Sequence, residues 1–340
     1  MIGQVIARVA SGGRLDRGEA RETMLHLMRG EASDAQIAAL LTALRMRGET
    51  AEEIAGFAQG MREAATAIRP AVTPLVDTCG TGGDGLSTFN VSTAAAFIAA
   101  GAGAYVAKHG NRGMTSSCGS ADVLEALGIG IELDADRVRA CIEEVGIGFL
   151  FAPRFHPAMR HVMRARREIG IPTIFNLLGP LTNPAGAEAQ LVGVGARDKA
   201  PLLAQALAEM GTARAMVVHG EDGMDEISTT SPTLVWEVDG HGVRFSRCVP
   251  EELGMARASL RELAGGGAEE NARIIRDEVL SGRKGPRRDV AVLNAAAALL
   301  LAGKAGDLRE GVTLAERSID SGAALRKLVR LENYTNGGIK

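Results

Sequence analysis

A glycine-rich loop that contains a carboxylate lies at residues 80–85, where the sequence is Gly-Thr-Gly-Gly-Asp-Gly. It follows a short apolar run at 75–79 that predicts a buried strand. Glycine has no Cβ, so consecutive backbone N–H groups in such a loop can converge on an anion. A bare carboxylate at Asp84 would repel a phosphate beside it and suits sugar hydroxyls or a magnesium ion better. The loop therefore favours a phosphorylated sugar as ligand.

Two other interpretations of this loop stay open from the residues alone. Gly80, Gly82 and Gly85 match the glycine spacing of dinucleotide-binding loops, which also need an acid about 20 positions later for the ribose hydroxyls. Residues 98–107 contain no acid, and this counts against a nicotinamide cofactor. The loop could also be a structural turn that binds nothing.

A short polar segment, Asn90 to Thr93, surrounds the start of an alanine-rich helix that is predicted to begin at Ser92. Asn, Ser and Thr are common helix N-caps, so these residues could serve only to start the helix. The N-terminus of a helix also attracts anions through its free N–H groups and its dipole. Beside the glycine loop it would form a second anion-binding surface, as a ligand with two separated phosphates requires.

Positive charge and hydroxyl groups are concentrated at 108–120, after a second predicted strand at 104–107. Lys108 and Arg112 supply the charge. Hydroxyl donors come from Thr115, Ser116, Ser117 and Ser120. Parallel strands present their carboxyl ends at one edge of a sheet, where ligands of open α/β sheets bind. This segment is therefore predicted to face the glycine loop and the same anionic ligand.

An adjacent acid pair, Asp225 and Glu226, follows a predicted strand at 214–218 and a turn at 220–223. On spacing alone, the pair could equally be solvated at the surface. Magnesium is commonly held by one or two carboxylates together with phosphate oxygens of the substrate. A phosphate site elsewhere in the chain makes the pair a candidate magnesium site.

The first 70 residues predict a run of short helices that carries no chemistry. Capping side chains are followed three residues later by an acid or amide at Asp16 and Glu19, Ser33 and Gln36, and Thr50 and Glu53. The first two of these helices are expected to stop at Gly30 and Gly48, and the third at Pro70. Apolar residues at helical spacing within 37–44 indicate a packing or dimerisation unit.

Beyond residue 70, strands and helices alternate, which is typical of an α/β domain with a mainly parallel sheet. Helical or strand-like stretches are expected at 119–127, 147–151, 157–168, 190–195, 198–210 and 214–218, and helices at 268–281, 288–302, 308–319 and 322–331. The predicted organisation is a small all-helical N-terminal domain at 1–70 and a larger α/β domain at 71–340.

Composition and charge limit the classes of protein. The 340 residues carry a net charge of −3, which provides no field to attract nucleic acid or an anionic membrane. The most apolar stretches, 94–107 and 289–302, are too short and too rich in Ala and Gly for membrane spans. The four cysteines show no paired spacing, and no signal-peptide pattern is visible. We therefore expect a cytoplasmic protein with reduced thiols that binds neither nucleic acid nor membrane.

Together, these motifs resemble those of the anthranilate phosphoribosyltransferase family. The matching segments run in order through essentially the whole chain, at 80–84, 90–93, 108–112, 119–128, 156–159, 174–184, 225–226, 269–272 and 318–322. Each is weak alone, but their co-occurrence is specific. The resemblance implies a nucleoside phosphorylase/phosphoribosyltransferase type of α/β fold. In it, the helical domain, with part of 160–190 packed on it, forms a homodimer, and the active site lies between the two domains.

The resemblance also implies an activity and a cofactor. A pentosyltransferase of this family moves the phosphoribosyl group of 5-phosphoribosyl 1-diphosphate to the amino nitrogen of anthranilate, with Mg²⁺, as a step of tryptophan biosynthesis. The products would be N-(5-phosphoribosyl)anthranilate and diphosphate. A displacement at the anomeric carbon needs no covalent nucleophile, and the sequence shows neither a Gly-x-Ser-x-Gly elbow nor a suitable Cys–His pair.

Site residues carry over from the family position by position. The phosphoribosyl diphosphate would be bound by Gly80, Gly83, Asp84, Thr88, Asn90, Val91, Ser92, Thr93, Lys108, His109, Gly110, Asn111, Arg112, Gly113, Met114, Thr115, Ser116 and Ser120. Anthranilate would be met by Gly80, Asn111 and Arg166, and magnesium by Ser92, Asp225 and Glu226. No catalytic residue is assigned, although His109 is a candidate proton acceptor and His156 is expected nearby.

The loop at 108–120 departs from the family pattern. A basic residue is usual where Ser117 stands, and serines are usual at Thr115 and Cys118. One positive charge near the diphosphate is therefore missing, which bears on affinity for the donor rather than on its identity.

The arginine assigned to anthranilate stands in altered surroundings. Arg164 and Ala165 replace a common Pro-Val pair before it, and Arg167 follows it directly. The choice of Arg166 therefore depends on the alignment of the Glu-Ile-Gly segment at 168–170. His156, before the same predicted helix, could instead be a surface or interface residue.

Two rival functions remain at this level. A nucleoside phosphorylase would share the fold, but the acid pair at 225–226 and Arg166 favour a diphosphate donor and a carboxylated acceptor. A nucleic-acid-binding relative without catalysis would require a basic surface, which the net charge of −3 does not provide.

Overall fold

The computed structural model describes residues 2–113, 117–240 and 242–337. Its α-helices are α1 (Ile2–Ala10), α2 (Arg17–Met28), α3 (Asp34–Arg47), α4 (Ala51–Glu63), α5 (Val91–Gly101), α6 (Ser120–Ala126), α7 (Ala135–Ala140), α8 (Ala152–Phe155), α9 (Arg160–Ile169), α10 (Phe175–Leu178), α11 (Ala200–Glu209), α12 (Ala268–Arg273), α13 (Pro286–Leu301), α14 (Leu308–Asp320) and α15 (Ala323–Thr335). Its strands are β1 (Leu75–Gly80), β2 (Tyr105–Gly110), β3 (Ile147–Phe151), β4 (Ala189–Gly193), β5 (Arg214–Gly220), β6 (Thr233–Val238) and β7 (Val243–Cys248).

Local capping signals determine where the N-terminal helices begin. Capping boxes start α2 at Asp16, α3 at Ser33 and α4 at Thr50. In each, the cap side chain accepts a hydrogen bond from the third helical N–H, and the side chain of that third residue accepts one from the cap N–H. The end of α3 at Gly48 is as predicted, and α2 ends two residues before Gly30.

The prediction that the third of the capped helices, α4, continues to Pro70 was wrong, because α4 ends at Glu63, seven residues earlier. In the connecting segment, the Thr66 N–H donates to the Phe155 carbonyl (2.8 Å) and the Ile68 N–H donates to the Pro184 carbonyl (3.2 Å). These backbone groups find partners in distant segments, so a further helical turn is not needed to satisfy them.

The strands of the described residues form one sheet in the order β3-β2-β1-β4-β5-β6-β7. The five strands from β3 to β5 pair in parallel. At one edge, β6 and β7 add in antiparallel fashion, and the sequence did not predict them. Because their neighbours are parallel, β1, β2 and β4 end at the same edge of the sheet, at Gly80, Gly110 and Gly193. The expected mainly parallel sheet is confirmed.

Two apolar clusters hold the helices to the sheet. One contains α5, α13, α14 and α15, and within it α13 packs against α5, β1 and β4. The other joins the N-terminal helices to α9, α10 and α11. In it α9 packs against α2 and α3, and α10 packs against α4. The segment that carries Arg166 is therefore fixed on the helical bundle. In the described ranges, no helix combines the length and apolarity that a membrane crossing requires.

Candidate active site

The glycine loop after β1 contacts the acid pair that follows β5. The Gly82 N–H donates to Asp225 Oδ2 (3.0 Å), and Gly82 and Gly83 have positive φ angles of 64° and 80°. A Cβ at Gly80 would lie 2.9 Å from Asp225 Oδ2, and one at Gly193 would lie 1.5 Å from the Asp225 carbonyl oxygen. Gly80 and Gly193 are paired neighbours at the ends of β1 and β4. Glycine at both strand ends therefore allows the close approach of Asp225.

The acids of this site are buried and repel one another. Burial, and then the charge of the nearby Asp84 carboxylate, raise the pKa of Asp225 to about 7. Burial and then the charge of Asp225 raise the pKa of Glu226 well above its ordinary value. Asp84 Oδ2 is buried and has no hydrogen-bond partner among the described residues. A bound divalent cation would stabilise the ionised form of such a group of acids.

The N-terminus of α5 faces the same acids. The Ser92 N–H donates to Glu226 Oε1 (3.0 Å). Asn90 stands at the N-cap position, but its side chain does not cap the helix. Its Nδ2 instead donates to the Cys118 carbonyl (3.1 Å), and its Oδ1 accepts from Asn271 Nδ2 (2.9 Å). Asn90 therefore ties the helix to the loop at 108–120, a role that the simple helix-start interpretation does not include.

Lys108 is buried among the strand ends. Its Nζ donates to the Thr78 carbonyl (2.5 Å) and to Ser92 Oγ (3.3 Å). Burial lowers the pKa of Lys108, and the negative charge of Asp77 opposes this shift. The ammonium group therefore orients the Ser92 hydroxyl and places positive charge beside the acid cluster.

A buried polar network fixes the ends of β1 and β2. Asp77 Oδ1 accepts from the His109 N–H (3.2 Å), and Oδ2 accepts from Asn183 Nδ2 (2.8 Å). Asn183 Nδ2 also donates to the Ala107 carbonyl (2.8 Å). Burial raises the pKa of Asp77 to about 6, an effect that the charge of Lys108 partly offsets. This network holds the segment at 174–184 against the two strands.

His109 and His156 form a buried pair, with ring centroids 5.1 Å apart. Burial lowers the pKa of His109 to about 3 and that of His156 to about 4, so both rings are neutral near pH 7. The carbonyl groups of Gly179 and Thr182 accept hydrogen bonds from the two rings. Both Nε2 atoms are buried without a partner among the described residues. The rings can therefore accept a proton or a hydrogen bond at Nε2, and His156 is not a surface residue.

Asp122 on α6 fixes both ends of the loop at 113–119. Its Oδ2 accepts from the N–H groups of Gly113 (2.8 Å) and Gly119 (2.9 Å), and its Oδ1 accepts from Arg112 Nη1 (3.1 Å). Arg112 also pairs with Glu125, so its charge is directed toward α6. Met114, Thr115 and Ser116, predicted to bind the donor, lie outside the described residues.

The other predicted donor residues are spread around these contacts. Thr88 forms an isolated antiparallel bridge with Ala264, and Ser117 Oγ donates to the Gly266 carbonyl (3.2 Å). The hydroxyl that replaces the usual basic residue is thus bonded to the segment before α12. Val91 and Thr93 are buried at the start of α5, and Ser120 Oγ donates weakly to the Asn111 carbonyl at the start of α6 (3.4 Å).

Arg166 differs from its two neighbouring arginines. Arg164 is exposed and pairs with Glu168 (3.0 Å), and Arg167 is exposed. Arg166 is half-buried, with its guanidinium carbon 4.8 Å from the Phe175 ring centroid. Burial lowers the pKa of Arg166, and no carboxylate of the described residues pairs with it. A half-buried guanidinium without an acid partner suits the carboxylate of a ligand.

The segment at 174–184 connects this arginine to the strand ends. Phe175 packs against the Arg166 guanidinium, and Gly179 accepts a hydrogen bond from His109. The Pro180 carbonyl lies 4.0 Å from Cys79 Sγ. The carboxylate-binding candidate and the anion-binding loops therefore lie on either side of one short segment.

Residues 3–65 match the glycosyl transferase family, helical bundle domain, and residues 72–325 match the glycosyl transferase family, a/b domain. The anthranilate phosphoribosyltransferase of Moorella thermoacetica is 55% identical over 96% of this chain and 96% of its own length. The enzyme of that name from Acetivibrio thermocellus is 52% identical over 100% of this chain and 98% of its own length. The chain belongs to the anthranilate phosphoribosyltransferase family.

Solved structures of the family share the fold. Anthranilate phosphoribosyltransferase from Thermus thermophilus is 48% identical and superposes with a TM-score of 0.92, covering 98% of this chain and 99% of its own. The Saccharomyces cerevisiae enzyme in complex with PRPP and Mg is 31% identical, with a TM-score of 0.91 and coverage of 99% and 98%. The family and the fold predicted from the sequence are confirmed.

Several residues that organise the site were not predicted. Asp77 and Asn183 stand in apolar or turn-like surroundings, and Asp122 begins a helix, so each has an ordinary structural interpretation in the sequence. Asn294 is different, because a single amide within an apolar helical run signals a buried group that must find hydrogen-bond partners. Asn271 lies in the family-like stretch at 269–272, which the sequence assigned no role.

Proposed function

We propose that this protein transfers the phosphoribosyl group of 5-phosphoribosyl 1-diphosphate to the amino nitrogen of anthranilate, with release of diphosphate. It is a pentosyltransferase of tryptophan biosynthesis, like relatives that match it over nearly their full length. The observation that carries the choice of acceptor is Arg166, a half-buried guanidinium with no acid partner in the described ranges. It would hold the anthranilate carboxylate through two parallel hydrogen bonds.

The donor would bind at the carboxyl ends of β1 and β2. The positive dipole end of α5, beside the glycine loop, suits an anion with several phosphate oxygens. The donor residues predicted from the sequence remain the proposed set. Arg112 and Lys108 are already engaged by protein groups, so positive charge from Arg112 would reach the donor only after it leaves Glu125.

Magnesium is the proposed cofactor, and Ser92, Asp225 and Glu226 would hold it. Within the described ranges, no group of three or more His, Cys, Asp or Glu side chains could hold a metal ion. Magnesium does not need such a group, because one or two carboxylates plus substrate phosphates are its usual protein site. The buried and mutually repelling acids, with Ser92 oriented by Lys108, fit this ligand type. When bound, the ion would neutralise charge on the diphosphate.

The residues of the chain would act mainly by alignment. The glycine loop and the N-terminus of α5 hold the diphosphate, and Arg166 fixes the orientation of the anthranilate ring. The anthranilate nitrogen then forms a bond to the anomeric carbon as the bond to the diphosphate oxygen breaks. The electron pair of the broken bond leaves with the diphosphate, where the donor site stabilises the developing charge.

The anthranilate nitrogen is positively charged once the C–N bond has formed, and the proton that it then loses needs an acceptor. His109 Nε2 is a candidate, because the ring is neutral near pH 7 and this nitrogen has no partner among the described residues. Solvent and the departing diphosphate are the alternatives. Since the attacking aryl amine is already neutral, the proton can leave after the bond forms, and a strong base is not required.

An assay with purified protein tests the proposal. Protein, anthranilate, phosphoribosyl diphosphate and Mg²⁺ should together cause loss of anthranilate fluorescence, and omission of any one should abolish it. Aniline, which lacks the carboxylate, should be a much poorer acceptor. Phosphorolysis of a pyrimidine nucleoside without any consumption of anthranilate would overturn the proposal in favour of a phosphorylase.

We also propose the division into a helical domain at 1–70 and an α/β domain at 71–340, and a homodimer formed through the helical domain. Met46 on α3, with 83% of its surface exposed, supports such an interface. Sedimentation of a Met46→Asp variant should show monomers, whereas an unchanged dimer after several charge substitutions on this face would locate the interface elsewhere.

Cytoplasmic location, without nucleic-acid or membrane partners, remains a proposal supported by the unpaired cysteine spacing and the net charge of −3.

A further inference from the structure

Asn294 is a fully buried amide in α13, and both ends of its side chain bind the backbone of one residue. Its Oδ1 accepts from the Ile227 N–H (2.9 Å), and its Nδ2 donates to the Ile227 carbonyl (2.9 Å). Nδ2 also donates to the Val290 carbonyl one turn earlier in α13 (2.9 Å). The amide is therefore hydrogen-bonded to both peptide groups of Ile227, and its bond to Val290 fixes its position on the helix.

Ile227 directly follows the acid pair, so these hydrogen bonds restrain the loop that carries the proposed metal ligands. The helix α13 packs against α5, and Ser92 lies in the first turn of α5. Asn294 thereby connects the backbone beside Glu226 to the helix pair that positions Ser92. The hydrogen bond from the Ser92 N–H to Glu226 Oε1 (3.0 Å) also links the loop of the acid pair directly to the N-terminus of α5.

The loop of the acid pair is held at fixed points on both sides. Its acids meet other elements through the Gly82 N–H, which donates to Asp225 Oδ2 (3.0 Å), and the Ser92 N–H, which donates to Glu226 Oε1 (3.0 Å). On the side before the acids, the turn is held by Asp222, whose Oδ1 accepts from the Met224 N–H (3.0 Å). On the side after them, Asn294 binds the first residue.

We propose that Asn294 is a positioning residue for magnesium binding, which holds Asp225 and Glu226 at the spacing from Ser92 that the ion requires. The inference rests on the proposed magnesium-dependent transfer. Asn294 touches no ligand and acts only through the backbone of Ile227. Supporting groups outside the direct ligands typically change metal affinity by about 10- to 100-fold when they are removed.

Three variants separate positioning from simple structural support. Asn294→Ala removes all three hydrogen bonds. Asn294→Asp keeps the acceptor for the Ile227 N–H and should fall between Asn294→Ala and the wild type. Ser318→Ala is the matched control, because Ser318 is a buried side chain that binds backbone of α5 away from the acids, at the Ile98 carbonyl (2.8 Å).

Metal binding is measured directly, without turnover, by titrating each protein with Mn²⁺ in the presence of phosphoribosyl diphosphate and following free Mn²⁺ by electron paramagnetic resonance. Asn294→Ala should raise the Mn²⁺ dissociation constant about tenfold or more. Its Michaelis constant for anthranilate should change less than about twofold, because Arg166 is untouched. Ser318→Ala should bind Mn²⁺ like the wild type.

A thermal unfolding midpoint that falls in Asn294→Ala, with Mn²⁺ affinity unchanged, would overturn the inference and leave Asn294 a structural residue. If Asn294→Ala does not fold, Mn²⁺ affinity of Asn294→Asp decides the question in the same way. Failure of the proposed function has a different signature, since the wild type would then not consume anthranilate while the effect of Asn294 on metal binding could still be measured.

Discussion

Replacing Arg166 by alanine is the sharpest test of how the acceptor is recognised. The guanidinium is half-buried against Phe175 and has no acid partner in the described part of the chain. A carboxylate bound there would lose much of its hydration and would depend on the arginine for compensation. Truncating one partner of such a charged pair costs about 2–4 kcal/mol. Since about 1.4 kcal/mol corresponds to a factor of ten, the effect on binding is about 30- to 700-fold.

The assay is steady-state kinetics by anthranilate fluorescence, with each substrate varied in turn. Arg166→Ala should raise the Michaelis constant for anthranilate by this factor and leave that for phosphoribosyl diphosphate within about twofold. Arg164→Ala and Arg167→Ala are the matched controls. Arg164 is exposed and already paired with Glu168, and surface pairs of this kind contribute about 0–1 kcal/mol.

The opposite pattern would refute the reasoning. If Arg164→Ala shows the larger, anthranilate-selective loss, the guanidinium that meets the carboxylate is the exposed one, and burial against Phe175 is not what selects it. Equal losses for both substrates in Arg166→Ala would indicate that the variant disturbs α9 as a whole.

Three further outcomes are expected. Asp225→Asn combined with Glu226→Gln should lower turnover at limiting Mg²⁺ by about 100-fold or more with the fold intact by circular dichroism, and near-normal activity would remove the metal assignment. Asp122→Ala should raise the Michaelis constant for phosphoribosyl diphosphate about tenfold or more while sparing that for anthranilate, because both ends of the 113–119 loop lose their anchor. His109 and His156 have folded pKa values of about 3 and 4, below the unfolded value, so the stability that each neutral ring contributes is complete above about pH 6.5, decreases below that pH and is fully lost once the pH has fallen through the folded value. Buried acids such as Asp77 and Asp225 titrate in the opposite sense over this range, so the test compares two proteins: the unfolding free energy of the wild type minus that of His156→Gln should fall by roughly 1.4 kcal/mol between pH 7.5 and 5.5, and a difference independent of pH would contradict this.

Local signals in the sequence predicted local structure well. A capping box depends on a side chain and an N–H three residues away, so the starts of α2, α3 and α4 could be predicted without any knowledge of the rest of the chain. The end of α4 could not, because the N–H groups of Thr66 and Ile68 bind carbonyls of distant segments. The antiparallel pair β6 and β7 was missed for a similar reason, since its partners are set by the sheet edge rather than by its own residues.

The candidate site also combines features that local sequence predicts with features that depend on contacts between distant segments. Residue types at 80–85, 90–93, 108–120 and 225–226 indicated a magnesium-dependent phosphosugar chemistry, because glycines, hydroxyls and acids carry that chemistry wherever they meet. Their meeting depends on β1, β2 and β4 ending at one edge, which parallel pairing of distant strands provides. The burial that raises the pKa of Asp225 likewise depends on how the whole chain packs, so no single segment of the sequence predicts it.

The sequence by itself determined the family, the helix starts and the kinds of ligand that the loops can bind, since these depend on residue identity and on spacings of a few positions. Only the tertiary structure decided which of three neighbouring arginines is half-buried and lacks an acid partner among the described residues, and that Lys108 orients Ser92 from within the cluster. The tertiary structure also brings Asn294 into hydrogen bonds with Ile227 in the loop of the acid pair, although the two residues are 67 positions apart in the sequence. Burial and long-range hydrogen bonds depend on which segments pack together, and that information is distributed over the whole chain.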